Sequence, residues 1–237
     1  KKKFGEIEVN WHGRLDQIPE GPVLVVANEF FDALPVEQFI KTEIGWNQRC
    51  VGLSEADELT FVECPIDQRL EFNIPFFVEE IAKIGEIYEI CFPAHQVVEE
   101  LSKRIGKNGI GALIIDYGHI EAGLGDTLQA VRRHKYADPL ISPGESDLTT
   151  HVDFNALYQI ADLDNTRVSG PVRQGSFLES IGIIERTEVL ARNMPPNLIE
   201  DFVAATNRLT EPKGMGSLFK VMVITNRQLP PPPGFPV

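Results

Sequence analysis

Three polar residues follow a short apolar run near the start of the chain. Asn28, Glu29 and Asp32 come directly after residues 23–27, a β-branched run without polar alternation. Such a run predicts a strand that is buried on both faces of a parallel sheet. Polar groups just beyond the carboxyl end of a parallel strand lie where open α/β sheets bind their ligands. The spacing therefore predicts a ligand site at residues 28–32.

Two aromatic residues, Phe30 and Phe31, interrupt these polar positions. Their rings would exclude water and could stack on a planar or cationic group. The same pattern also fits a strand followed by a helix, with Asn28 or Asp32 as the helix cap and the aromatic rings in the core. The spacing alone does not decide between these two interpretations.

A second set of polar residues follows the next apolar run, residues 110–115. Asp116 and His119 come at its end, and adjacent strand ends of an open parallel sheet face one cleft, so we expect this motif to meet the first one. An imidazole can take up a proton near neutral pH, which makes His119 a candidate base. A histidine beside a glycine is also a common turn or hydrogen-bonding residue.

Asp147, His151 and Asp153 form another acid–imidazole group. A metal site is one interpretation of this group, but helix capping by Thr150 or Asp153 before Phe154 explains much of it. No metal is therefore predicted.

The elements that must position these residues follow from the apolar periodicity. Residues 93–106 predict a helix, with Val97, Val98, Leu101 and Ile105 as its apolar stripe and Gly106 or Gly109 at its end. Between the two motifs, residues 36–66 predict antiparallel hairpins that form an inserted lobe, either a lid or substrate platform or an extension of the sheet edge. Strand, helix and strand in this order are typical of a doubly wound sheet.

The remaining segments complete a single predicted domain over residues 1–237, without a linker or repeat. Strands are predicted at 6–12, 168–172 and 218–225, and helices at 153–162, 177–181 and 195–209. Residues 121–143 are predicted to be irregular, with a basic cluster at 132–135 that is either a solvated face or a contact for an anionic group. A tight turn is predicted at 214–216, and an extended proline-rich tail at 229–237.

Composition limits the classes of function. The 22 Lys and Arg residues against 35 Asp and Glu residues give a net charge of −13, which argues against nucleic acid as the main partner. It fits a cationic partner, although solubility alone also explains it.

The three cysteines contain no Cys-x-x-Cys pair, which indicates a reducing compartment and no cysteine zinc site. No apolar run is long enough to predict a membrane span. There is no Gly-x-Ser-x-Gly elbow or complete dinucleotide loop.

Several ordered segments of the chain resemble one family. The segment Asn28-Glu-Phe-Phe-Asp-Ala-Leu-Pro35 is similar to the signature of the MidA-like S-adenosylmethionine-dependent methyltransferases, which include the mitochondrial complex I assembly factor, a protein-arginine methyltransferase. Members carry, upstream of this point, a glycine-rich loop after the first strand and an acidic residue after the second; this chain begins beyond both. Further matches cover nearly all of the chain: Leu113-Ile-Ile-Asp-Tyr-Gly-His119, Gly125-Asp-Thr-Leu-Gln129, Ser142-Pro-Gly-Glu-Ser-Asp-Leu-Thr149, His151-Val-Asp-Phe154, Gln174-Gly-Ser-Phe177 and Met215-Gly-Ser-Leu-Phe-Lys220.

The resemblance implies an α/β fold, a Rossmann-like methyltransferase sheet with an inserted antiparallel hairpin lobe, in which the amino-terminal strands and the glycine-rich loop are absent from this chain. It implies S-adenosylmethionine as cofactor, and no metal. The implied catalytic residues are Asn28, Glu29, Asp32 and His119, the implied cofactor-binding residues are Ala27, Asn28, Phe30 and Asp116, and the implied substrate-binding residues are Phe31, Tyr117, Asp147 and His151.

The implied reaction is methylation of an arginine, or another nitrogen, on a partner protein. The sulfonium methyl is already activated, so the protein must align a nucleophile and manage one proton. An amide oxygen accepts an N–H and a carboxylate pairs with a guanidinium through two bonds, so Asn28 and Glu29 suit this role. Asp32 either completes a cationic cage or caps the following helix, and we favour the cap.

Two other functions remain open: a non-catalytic assembly chaperone or binding module, and a small-molecule methyltransferase. The expected partner is a protein with an accessible arginine, with no nucleic acid or membrane and with a possible homodimer. The expected location is the cytoplasm of a bacterium or the mitochondrial matrix of a eukaryote. The absent upstream motifs fit an incomplete chain, a split protein or a degenerate copy, and we favour the first.

Overall fold

The computed structural model describes residues 8–133 and 135–236. The strands are β1 (Leu24–Asn28), β2 (Glu37–Thr42), β3 (Gly45–Leu53), β4 (Leu59–Pro65), β5 (Ile87–Ile90), β6 (Gly111–His119), β7 (Gln129–Arg132), β8 (Lys135–Ala137), β9 (Asp147–Thr149), β10 (Val152–Asp153), β11 (Thr166–Arg173) and β12 (Phe219–Asn226). The helices are α1 (Gln68–Glu71), α2 (Phe76–Ile81), α3 (Phe92–Asn108), α4 (Phe154–Ala161), α5 (Gln174–Ser180), α6 (Ile183–Ala191), α7 (Pro196–Thr210) and α8 (Met215–Leu218).

A mixed five-stranded sheet forms the centre of the chain. Its order is β1-β6-β12-β11, and β10 pairs with the end of β6. The pairs β1–β6 and β10–β6 are parallel, whereas β12 is antiparallel to both β6 and β11. The strand–helix–strand unit of β1, α3 and β6 has the predicted order, with the two strands parallel. The carboxyl ends of β1 and β6 therefore lie side by side.

Helices α3 and α4 cover one face of this sheet. The predicted stripe of α3 is confirmed, because Val98, Leu101 and Ile105 are buried and Val97 packs at the margin of the same core. The helix ends at Gly109, whose N–H bonds to the carbonyl groups of Arg104 and Ile105. Sheet residues complete this core on the other side: Ala112, Ile114, Met222 and Ile224.

The prediction that the first apolar strand is buried on both faces is wrong. Val25 and Ala27 pack against the core, but the side chains of Leu24 and Val26 are 70% and 66% exposed. The reason is that β1 lies at the edge of the sheet, and within the described residues no helix covers its second face. A continuous apolar run indicates that a strand is apolar. It does not indicate which faces of the strand are covered by other elements.

The predicted hairpin lobe is present. Strands β2, β3 and β4 are antiparallel, and β5 adds a fourth strand next to β2. The lobe has an apolar cluster of its own, made by Phe39, Trp46, Val78, Tyr88 and Ile90. Helices α1 and α2 are short, and α2 begins directly after Pro75.

Other predictions have mixed outcomes. The helices at 153–162, 177–181 and 195–209 correspond to α4, α5 and α7, and the strands at 168–172 and 218–225 to β11 and β12. Residues 8–12 form no strand, and the rest of that predicted strand, residues 6–7, lies outside the described residues. The run 121–143 is not irregular throughout, because β7 and β8 lie within it and form a small antiparallel sheet with β9. The predicted turn at 214–216 opens into α8.

The basic cluster and the tail are described only in part, because His134 and Val237 lie outside the described residues. Arg132 forms an ion pair with Glu145, as a solvated face would. Phe235 in the tail packs on Phe177, with 5.2 Å between ring centroids. None of the helices in the described part has both the length and the apolar character that a membrane crossing requires.

Candidate functional site

The residues after β1 form a tight loop at the edge of the sheet. The N–H of Glu29 donates to the carbonyl oxygen of Ile115 in β6 at 3.0 Å, and Glu29 has a φ of 48°. A positive φ is unfavourable for a residue with a side chain, and strained backbone of this kind is enriched at functional sites. The side chains of Asn28 and Glu29 are both exposed, and the amide nitrogen of Asn28 lies 3.5 Å from the Glu29 carboxylate. The loop thus presents an amide and a carboxylate together.

Asp116 holds this loop in place. Its Oδ2 accepts hydrogen bonds from the backbone N–H groups of Phe30 (3.2 Å), Phe31 (3.0 Å) and Asp32 (3.3 Å). Its Oδ1 accepts the N–H of Tyr117 at 2.9 Å, and the side chain is fully buried. The two motifs therefore meet as the sequence predicts. The contact between Asp116 and the cofactor stays a prediction; in the structure the carboxylate is buried and bonded to backbone amides.

Burial and, next, the carboxylate of Asp32 raise the pKa of Asp116 to about 7. The amide donors from the loop act in the opposite direction, because they stabilise the charged form. Asp116 is thus a buried carboxyl group whose charge holds three consecutive backbone amides.

Asp32 follows in the same loop and is only 5% exposed. Its Oδ2 accepts the hydroxyl of Tyr117 at 2.5 Å, while Oδ1 is buried without a hydrogen-bond partner in the described structure. The predicted helix cap is wrong, because no helix begins in the residues that follow Asp32 up to β2. Burial and the hydrogen bond to Asp32 raise the pKa of Tyr117.

An open cleft of about 660 Å³ lies next to this loop. Four residues named from the sequence line it, namely Glu29, Asp32, Tyr117 and Asp147. The small β7–β9 sheet forms the opposite wall. Of the described residues that line the cleft, three are acidic and none is Lys or Arg. The cleft is therefore suited to a cationic group.

Sequence reasoning missed part of this lining. Tyr136, Ser146 and Phe219 also face the cleft. Tyr136 and Ser146 lie in or next to the run that was predicted to be irregular, and Phe219 begins a strand that is distant in sequence. The only sequence signal for these lining residues would be the alternation of polar and apolar residues in β7, β8 and β9. Strands of three or four residues are too short to show that alternation.

The histidines lie elsewhere, in a more enclosed cavity of about 270 Å³ between the lobe and the main sheet. His95, His119, His151 and Asp153 line it, together with Phe31. Burial lowers the pKa values of His95 and His151. Residues 147–151 separate the two spaces, since Asp147 lines the cleft and His151 the cavity, with its ring 5.8 Å from that of Tyr117.

The placement of His119 separates it from the amide–carboxylate pair. Its Nδ1 lies 2.8 Å from the carbonyl oxygen of Glu121 and 3.9 Å from a carboxylate oxygen of Asp153. Asp153 caps α4 by accepting the N–H of Ala156 at 3.0 Å, which confirms the predicted cap. Among the described residues, no group of three or more His, Cys, Asp or Glu side chains is arranged to hold a metal ion.

Two cofactor candidates differ in orientation. The side chain of Ala27 packs toward the core, so only its backbone could face a ligand. Phe30 is 46% exposed and meets the buried ring of Phe31 edge to face at 5.2 Å. Asn28 and Phe30 are thus the two predicted cofactor contacts whose side chains are open.

The parallel strands, the anchored loop at their carboxyl ends and the adjoining cleft are those of a Rossmann-like α/β protein. The chain belongs to the family described as S-adenosyl-L-methionine-dependent methyltransferases, whose family model matches residues 2–172. This match confirms the resemblance to the MidA-like methyltransferases.

Curated relatives support the same assignment. The mouse protein arginine methyltransferase NDUFAF7, mitochondrial, is 36% identical over 225 residues, which cover 94% of this chain and 50% of the relative. Its human counterpart is 34% identical, with coverages of 94% and 49%. The chain thus spans about half the length of the curated relatives it matches. These relatives are named as mitochondrial proteins.

A solved structure shares the fold. A Burkholderia thailandensis protein bound to S-adenosyl-homocysteine has a TM-score of 0.78 and 27% identity, and the match covers 93% of this chain and 57% of that protein. The similarity confirms the predicted Rossmann-like fold class.

Proposed function

We propose that the protein containing this chain transfers a methyl group from S-adenosylmethionine to a guanidinium nitrogen of an arginine on a partner protein. The observation that carries the proposal is the exposed pair of Asn28 and Glu29, on an anchored loop beside an acidic cleft. The names of the relatives, protein arginine methyltransferases, support the acceptor class. The S-adenosyl-homocysteine in the related structure supports the cofactor.

The open residues at the end of β1 fit part of such a cofactor. The amide of Asn28 can bond to its polar groups, and the exposed face of Phe30 can cover an apolar or cationic part of it. When bound, S-adenosylmethionine supplies an activated methyl group. Transfer of this methyl group to the acceptor nitrogen needs no metal and no further cofactor.

The two side chains of the pair have separate tasks. The Glu29 carboxylate accepts N–H bonds from the guanidinium and balances its charge. The amide oxygen of Asn28 accepts a further N–H, which fixes the direction of the reacting nitrogen. After transfer, the nitrogen loses one proton, and exposed Glu29 can accept it and pass it to water. The hydrogen bond from the Glu29 N–H to β6 keeps this residue in position.

The substitution Glu29→Gln tests this assignment in the intact encoded protein. It keeps the shape of the side chain but removes the charge, so we expect S-adenosylmethionine binding to be unchanged and the rate of methyl transfer to fall by about 100-fold or more. Calorimetry measures the first quantity, and transfer of a labelled methyl group to a basic protein measures the second.

Glu58→Gln is the matched control, because Glu58 is exposed in the loop between β3 and β4. It should leave both quantities unchanged. An unchanged transfer rate in Glu29→Gln would remove Glu29 from the mechanism. Loss of cofactor binding in that variant would show that Glu29 serves the cofactor instead.

The open cleft and the net charge of −13 favour a basic protein segment over a small molecule as acceptor. We place the reaction in the mitochondrial matrix if the source is a eukaryote, because the relatives are named as mitochondrial, and in the cytoplasm if the source is a bacterium.

A further inference from the structure

One polar atom in the acidic cleft has no partner. Asp32 is buried, and its Oδ1 makes no hydrogen bond within the described structure, although its Oδ2 is bonded to the hydroxyl of Tyr117. The hydroxyl of Ser146, which lines the same cleft, is likewise buried without a partner. Buried polar atoms without partners cost free energy and are uncommon, so such atoms on the wall of a cleft point to a ligand.

We propose that Asp32 binds the guanidinium of the acceptor arginine at the floor of the cleft, with Tyr117 orienting its carboxylate. The inference rests on the proposed function and adds a second binding residue to it. A carboxylate oxygen is an acceptor only, so the missing partner of Oδ1 must be a donor. The hydroxyl of Tyr117 fixes one oxygen, and the other remains buried without a donor among the described residues.

The charge of the cleft selects a cationic donor over a neutral or anionic one. Glu29, Asp32 and Asp147 line it, and no Lys or Arg side chain is among the described residues of the lining. An anion would meet three carboxylates. A neutral donor would satisfy Oδ1 but would leave the acidic lining unbalanced.

The geometry favours a guanidinium over an ammonium group. Glu29 is at the exposed lip of the cleft and Asp32 is buried at its floor, so one ligand must donate in two directions. A guanidinium has five N–H donors in a flat fork, whereas an ammonium group is compact. The rings of Tyr117 and Phe219 also line the cleft and meet edge to face, with 5.4 Å between centroids, so they offer an aromatic surface to a cation.

The test measures binding of small probes to the intact encoded protein by calorimetry. The probes are N-acetyl-arginine amide, its neutral isostere N-acetyl-citrulline amide, N-acetyl-lysine amide and free arginine. We expect the arginine amide to bind at least about 10-fold more tightly than either amide analogue, because the buried carboxylate requires charge and several donors. In Asp32→Asn we expect the preference for arginine over citrulline to fall several-fold, while Glu29 and Asp147 retain the remainder.

Two controls keep the outcome interpretable. Glu58→Gln should retain the full preference, and Tyr117→Phe should weaken it while leaving the carboxylate charge in place. A preference that is unchanged in a folded Asp32→Asn protein would overturn the inference. Equal binding of free arginine and the arginine amide would support a guanidinium site. It would overturn the inference that the bound arginine belongs to a protein segment.

Failure of this inference and failure of the proposed function can be distinguished. Probe binding needs neither cofactor nor methyl transfer, so the comparison of the wild type with Asp32→Asn reports on the acceptor site and not on the transfer step. If Glu29→Gln abolishes methyl transfer while Asp32→Asn keeps the arginine preference, only the present inference is wrong. If arginine binds through Asp32 but no methyl group is transferred, the inference holds and the proposed function fails.

Discussion

At the scale of single residues, the buried carboxylate of Asp116 fixes the position of the loop that follows β1. Three consecutive N–H groups of the loop, those of Phe30, Phe31 and Asp32, converge on one oxygen. Within the described residues the pairing of β1 with β6 ends at Glu29, so Asp116 supplies the acceptor for the N–H groups that follow. The exposed pair of Asn28 and Glu29 therefore depends on a group that no substrate touches.

The raised pKa of Asp116 gives a pH dependence of stability with a definite sign. Its folded value of about 7 lies above the unfolded value of about 4. The folded state thus binds the proton more tightly between these values, so the contribution of this group is complete below pH 4 and is lost as the pH rises through 7. We expect the free energy of unfolding to fall by about 2–3 kcal/mol more between pH 5 and pH 8 in the wild type than in Asp116→Asn.

Urea unfolding at the two pH values measures this difference. Asp201→Asn, at an exposed position of α7, should behave like the wild type. An identical pH response in Asp116→Asn and the wild type would show that Asp116 does not titrate in this range.

The residue-scale site was predictable only where strand ends bring residues together. Asn28 and Asp116 follow two apolar runs, and the parallel pairing of β1 with β6 is enough to predict that their motifs meet. The pairing of Asp32 with Tyr117 was not predictable, since it depends on the turn that the loop takes. The contribution of Ser146 depends on how residues 129–149 fold back on the loop, for which the sequence carries only short polar strands.

At the scale of elements, Gly118 allows β10 to lie against the end of β6. A Cβ atom at this position would be 2.1 Å from the carbonyl oxygen of Val152, a backbone atom that cannot move aside without breaking the pairing. The carbonyl oxygen of Gly118 also accepts the buried ammonium of Lys220 at 2.8 Å. This one residue thus connects β6, β10 and β12.

Gly118→Ala should therefore separate β10 from β6 and displace the adjoining residues 147–151, which divide the cleft from the histidine cavity. We expect a loss of about 2–4 kcal/mol in the free energy of unfolding, measured with urea. Gly123→Ala is the matched control, because its Cβ would meet its nearest neighbour, the carbonyl oxygen of Glu121, at 3.9 Å. Equal stability of the two variants would contradict the close approach.

Apolar periodicity predicted the elements that bury a single face. It failed where the burial of an element depends on which other elements lie beside it. The α3 stripe at Val98, Leu101 and Ile105 has helical spacing and was predicted within a few residues. The edge position of β1 has no such signature, because Leu24 and Val26 are as apolar as Val25. Strands β7, β8 and β9 span only three or four residues each and are rich in polar side chains.

At the scale of the whole molecule, the hairpin lobe is connected to the cleft wall by a chain of hydrogen bonds. Glu89 in β5 accepts the N–H of Thr127 at 3.0 Å and also its hydroxyl. The Thr127 hydroxyl oxygen in turn accepts the N–H of His151 at 2.9 Å. Residues 147–151 form the wall between cleft and cavity, so the position of the lobe is transmitted to the proposed acceptor site.

Thr127→Val should break this connection without changing the shape of the side chain. The His151 N–H and one oxygen of Glu89 then lose their partner, so we expect about 1–3 kcal/mol less stability against urea. Amide hydrogen exchange should become faster at residues 147–153, and the KM for a basic protein acceptor should rise several-fold while kcat stays near its wild-type value. Thr60→Val in β4 is the control, because the hydroxyl of Thr60 has no hydrogen-bond partner in the described structure. Faster exchange in the lobe alone, with an unchanged KM, would show that lobe and cleft move independently, because a rigid link must pass the disturbance on to the wall.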